Sequence, residues 1–143
     1  MDAWRRSFLD KLREAQSHCA GLFEDVLDRA VAPAFDELAS FLRDNGFTMS
    51  IPLREPGRRS FKYELAENAY LLVIFRFLGV GEFELQTETF VPGAKPVYEK
   101  KRERVADVDR QWAQRLFQAG LDRFIDQLAN QKSEQPKAEL ATV

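Results

Sequence analysis

Tyr70-Leu71-Leu72-Val73-Ile74-Phe75-Arg76-Phe77-Leu78-Gly79-Val80-Gly81-Glu82-Phe83-Glu84-Leu85-Gln86-Thr87-Glu88-Thr89 is the stretch that decides the fold. Tyr70 to Leu78 is apolar but for Arg76, which predicts a central strand. From Glu82 the pattern becomes period two: Phe83, Leu85, Thr87 and Thr89 alternate with glutamate and glutamine, as in a half-buried strand. Gly79-Val80-Gly81 turns the chain between them. A three-residue turn there sets Phe77 opposite Phe83 and Arg76 opposite Glu84 in an antiparallel pair.

Working outward, Phe61, Tyr63 and Leu65 alternate with Lys62 and Glu64 before a turn at Glu67-Asn68. The odd-numbered residues of all three strands then share one apolar face: Phe61, Tyr63, Leu65, Leu71, Val73, Phe75, Phe77, Phe83 and Leu85. This parity requires an odd-length turn at Glu67-Asn68, because an even one would bury Lys62 and Glu64. Further upstream, Phe47, Met49, Ile51 and Leu53 alternate with Thr48, Ser50 and Pro52, and Glu55-Pro56-Gly57-Arg58 closes a hairpin. Downstream, Pro92-Gly93-Ala94-Lys95-Pro96 turns into a charged last strand from Val97 to about Arg104. The expectation is an antiparallel meander of four to five strands.

Helical patterns flank the meander. In residues 2–44, Phe8, Leu12, Ala15, Cys19, Leu22 and Val26 recur at alternating steps of four and three, a heptad-like stripe widened by Leu9, Phe23 and Leu27. Pro33 lacks an amide donor and crowds the preceding turn, so a kink or break is expected near residues 29–33. Asn45-Gly46-Phe47 reads as a glycine C-cap followed by an apolar residue folding back on the last turn. A second helix follows Asp107 or Asp109 as N-cap; Trp112, Leu116, Gly120 and Phe124 form one row of its apolar face, and Phe117, Leu121, Ile125 and Leu128 the next. The fold class expected is α+β: a long N-terminal helix kinked near Pro33, the meander, and a C-terminal helix packed on the sheet. Residues 1–130 form one domain and residues 131–143 a polar tail.

Composition narrows the function classes. The chain of 143 residues is 45% hydrophobic and 31% charged, with 21 Lys+Arg against 23 Asp+Glu. That balance disfavours a generally basic nucleic-acid binder. No apolar run approaches the ~18 residues of a membrane helix, and no apolar core of a signal peptide follows Met1, so the expected setting is the cytoplasm without membrane association. One cysteine, Cys19, and one histidine, His18, exclude an internal disulfide and a cysteine-based zinc site within one chain. Glu14 and His18 share a helix face but supply two ligands where zinc takes three or four. The pairs Glu24/Asp28 and Asp122/Asp126 stand at helical spacing without a catalytic partner in the sequence. No cofactor, metal or catalytic constellation is expected, and the chain reads as a non-enzyme.

Three surfaces remain as candidates. A straight helix over residues 2–44 would run roughly 64 Å at 1.5 Å per residue. Strands of ~7 residues span roughly 23 Å, and a domain of this size has a radius of gyration of about 14–15 Å. The helix therefore either folds back at Pro33 or pairs with another chain, and the heptad spacing favours a homodimer through Phe8, Leu12, Ala15 and Cys19. On the even-numbered sheet face, Tyr70, Leu72, Ile74 and Arg76 form an apolar strip rimmed by charge, covered by a helix or by a protein partner. There Glu84, Gln86 and Glu88 are expected opposite Arg104, Arg102 and Lys100, a cross-strand charge ladder. Arg54, Arg58 and Arg59 of the first hairpin and Lys100, Arg102 and Arg104 of the last strand share one rim, an alternative site for nucleic acid or another anion. Enclosure of a small apolar ligand between helices and sheet is the remaining option.

Overall fold

The computed structural model describes residues 2–131. Asp2 caps the first helix, α1 (Ala3–Val26), its carboxylate accepting from the Arg5 amide at 2.8 Å. A π-helical turn (Leu27–Val31), α2 (Ala32–Glu37) and α3 (Ala39–Asp44) continue the run. The kink expected near Pro33 is present as a bend of 31°. Pro33 cannot donate to the preceding turn, and the ladder there widens by one residue, with Ala32 N–H bonding the carbonyl of Leu27. The helix therefore passes the proline without folding back into a pair.

The glycine cap forms as read: Gly46 takes φ 91°, its amide donates to the Arg43 carbonyl, and Phe47 N–H donates to the Leu42 carbonyl at 2.9 Å. The chain then enters one antiparallel sheet of β1 (Thr48–Ser50), β2 (Arg54–Glu55), β3 (Arg58–Ala66), β4 (Ala69–Phe77), β5 (Glu82–Phe90) and β6 (Val97–Arg104). The order is β1-β3-β4-β5-β6, with β2 also on β3. β1 and β2 are the expected first strand in two pieces, interrupted where Pro52 offers no ladder donor.

Phe77 pairs with Phe83 and Arg76 with Glu84, as the Gly79-Val80-Gly81 turn requires. The β3–β4 connection differs in kind from the odd turn expected. Ala66 pairs with Ala69 around a tight two-residue turn, and a register shift between Glu64 and Ala66 supplies the extra residue. This bulge restores the parity that keeps Lys62 and Glu64 out of the core. The last hairpin is offset by two residues from expectation: Glu84 lies opposite Arg102, Gln86 opposite Lys100 and Glu88 opposite Tyr98. A shift of two keeps every side chain on its face, so the ladder survives with different partners.

All the helices among the described residues lie on the odd-numbered face. A 3₁₀ turn (Val105–Asp107) leads to α4 (Arg110–Ala129), capped by Asp109, whose carboxylate accepts from the Trp112 amide at 2.8 Å. Phe23, Phe61, Tyr63, Phe75, Phe83, Phe117 and Phe124 are fully buried between the layers. Phe35 of α2 packs its ring against Phe61, Tyr63 and Phe117, and Tyr63 donates its hydroxyl to the Phe35 carbonyl at 3.0 Å. Gly120 lets α4 approach closely: a Cβ there would stand 2.9 Å from a methyl of Leu71. Except for Gln131, the polar tail read from the sequence lies outside the described residues.

Candidate interaction surface

The bent helix leaves most of α1 outside the body. Phe23 is the first fully buried residue, and between Asp2 and Leu22 only Leu9, Cys19 and Ala20 are even half-buried. That projection of 20 residues (3–22) extends about 30 Å at 1.5 Å per residue. Its exposed large side chains are Trp4 (70%), Phe8 (48%), Leu12 (39%) and Leu22 (45%), with the rings of Trp4 and Phe8 stacked at 5.3 Å. Ala15 is exposed and Cys19 half-buried on the same stripe. The core contact of the N-terminal run falls instead to the flanking residues Phe23, Leu27, Ala30 and Val31. Trp4, four residues before Phe8, extends the stripe by one more step.

At the base of the projection the stripe ends in a cleft. Leu22, Asp25 and Val26 of α1 form one wall, Val105, Ala106 and Val108 the other, with Gly81, Glu82 and Arg104 also lining it, and the open cleft measures about 470 Å³.

The even-numbered sheet face carries no helix among the described residues. Tyr70 stacks flat on Phe90 at 5.4 Å, and Lys62 lies over the Tyr70 ring at 4.5 Å. Leu72 and Ile74 continue this strip, half-buried by their neighbours. Phe90 belongs to the same strip by parity alone, a signal already present in the alternation of β5. The other end of the face is charged: Arg58, Arg76, Glu84 and Arg102 form one row across β3 to β6. Arg76 bonds the Glu84 carboxylate at 3.3 Å and, with Lys100 and Arg102, holds it below the usual carboxylate range.

The two arginine-rich clusters lie at the same end of the sheet, but β4 and β5 separate them. Arg54, Arg58, Lys100, Arg102 and Arg104 are exposed there. Arg59 does not belong to the rim. It points into the helix-covered side, 5% exposed, and pairs with Asp28 at 2.8 Å and Glu24 at 3.2 Å. An odd position in β3 faces the core, so the parity that assigned Phe61 and Tyr63 inward also turns Arg59 inward. Glu24 and Asp28 thereby acquire the partner that the sequence did not reveal.

Among the described residues no three His, Cys, Asp or Glu side chains gather as a metal site, and no helix is long and apolar enough to cross a membrane. Comparison of the chain with known protein families, with curated proteins and with solved structures found no match.

Proposed function

We propose that this chain is a cytoplasmic, non-catalytic interaction module that associates with itself through the projecting part of α1 and offers its uncovered sheet face to a protein partner. The observation that carries the reading is the projection: about five helical turns expose Trp4, Phe8, Leu12 and Leu22 on one stripe. A helix without tertiary contacts is marginal in water, and burial of such a stripe is the ordinary source of its stability. The alternating steps of four and three match a narrow seam between two helices better than the wider face of a helix lying on a sheet.

Light scattering on size-separated protein tests it. The native chain is expected at twice the chain mass and Leu12→Asp at the chain mass. A native chain that stays at one chain mass at its highest soluble concentration overturns the self-association.

A second reading, anion binding at the charged end of the sheet face, rests on Arg58, Arg76, Lys100 and Arg102 lying together there. Glu84 stands among them and Arg59 is withdrawn, which favours the first reading. Salt-sensitive retention on single-stranded nucleic acid, lost in Arg58→Glu/Arg102→Glu, would reverse that order.

A further inference from the structure

We infer that the self-associated form is an antiparallel two-helix seam in which Trp4 of each copy enters the cleft at the base of the other copy's α1. This rests on the self-association reading above, and adds its orientation, its register and its anchor residue.

Charge selects the orientation. Residues 2–13 carry Arg5, Arg6, Lys11 and Arg13 against Asp2 and Asp10; residues 14–28 carry Glu14, Glu24, Asp25 and Asp28 and no lysine or arginine. Parallel helices would set basic beside basic and acidic beside acidic. Antiparallel helices bring the basic end of each copy toward the acidic end of the other, with Arg5 and Arg6 nearest Glu24 and Arg13 beside Glu14. Arg59 and Arg29 already engage three of these four carboxylates, so the acidic half is partly neutralised but keeps its sign.

Size selects the register. Of the stripe residues, Trp4, Phe8 and Leu12 in the first half of the projection are large, and Ala15 and Cys19 in the second are small; Leu22, large again, ends the stripe at the cleft. Added atoms at Gly21 would meet open space. With Leu12 opposite Ala15 of the second copy, Phe8 falls opposite its Cys19, and large meets small in both layers, as knobs need holes. This register overlaps the whole projection and carries Trp4 to the level of Phe23 of the second copy, next to its Leu22. There the cleft between Leu22, Val26, Val105 and Val108, lined also by Asp25, Glu82 and Arg104, opens. An aromatic side chain in a desolvated cleft is the usual strongest anchor of an interface.

Disulfide trapping tests orientation separately from association. Phe8→Cys lies on the projection outside the core, so the folded body is retained. Mild oxidation of this variant is expected to give a covalent dimer in which the introduced thiol of one copy is joined to Cys19 of the other, mapped by mass spectrometry of the unreduced peptides. The native chain, with its two Cys19 far apart along the seam, is expected to stay unlinked. A dimer linked Cys19 to Cys19 would keep self-association and overturn the antiparallel seam; a native chain found only as monomer would overturn both. Should Phe8→Cys dissociate, spin labels on native Cys19 read the same geometry. A separation of about 20 Å follows from the antiparallel register and about 10 Å from a parallel one, at 1.5 Å per residue and 8–10 Å between axes. Trp4→Ala is expected to weaken the dimer at least tenfold; an unchanged dissociation constant would remove the anchor from the proposal.

Discussion

Arg59 on β3 and Asp28 on the π turn meet at 2.8 Å, and together with Glu24 they pin the bend of the N-terminal helix to the first hairpin. Glu24 also accepts from the Gly57 amide at 2.9 Å, so one carboxylate holds both the hairpin turn and the buried guanidinium. Removing the buried partner should cost most, because its stem and charge are enclosed while Asp28 is half solvated. Arg59→Ala is expected to destabilise by about 2–3 kcal/mol, less than a fully buried pair would lose. Asp28→Ala is expected to lose under about 1 kcal/mol. Equilibrium urea unfolding measures both; equal losses would mean that the guanidinium's burial contributes nothing of its own.

Among the described residues the projecting part of α1 has nothing of the body to pack against. Its helicity should therefore depend on concentration. Ellipticity at 222 nm is expected to fall on dilution and in Leu12→Asp, while amides of β3, β4 and β5 keep their protection from hydrogen exchange. A helical signal independent of concentration would show that the projection holds itself.

Gly120 faces Leu71 with room for hydrogen only. Gly120→Leu gains helix propensity of roughly 1 kcal/mol, but must push α4 off a fully buried side chain. A net loss of about 2 kcal/mol or more is expected in thermal or denaturant unfolding. Stability equal to the native chain would mean that the helix–sheet distance relaxes freely.

Glu84 connects charge to pH. Arg76 holds its carboxyl below the usual range in the folded chain. A lowered folded value means that the pairing stabilises above the ordinary carboxylate range and is lost as pH falls through the lowered value. In Arg76→Met the Glu84 carboxyl should titrate at higher pH than in the native chain, read by carbon NMR of the side chain. The stability difference between the two proteins should close in acid; a gap that persists there would place Arg76's contribution in packing.

Much of this architecture is legible in one dimension because it rests on short-range rules. Period-two alternation, the Gly79-Val80-Gly81 turn and the Asn45-Gly46-Phe47 cap each act over a few residues, and they determine the strands, the Phe77–Phe83 register and the end of α3. The parity of β3 to β5 likewise determined which residues enter the core. Three matters were left to tertiary structure. The two-residue turn and bulge at residues 64–69 preserve the same parity as an odd turn, so alternation cannot tell them apart. The seven residues between Thr89 and Val97 allow registers that differ by two with no side chain changing face. The fate of the N-terminal helix is set by where the body ends. Phe23 and Leu27 meet the sheet, whereas Phe8 and Leu12, equally apolar in sequence, lie beyond its edge with none of the described residues to cover them. Periodicity records which side of a helix is apolar; only the extent of the sheet beneath it decides how much of that side is buried.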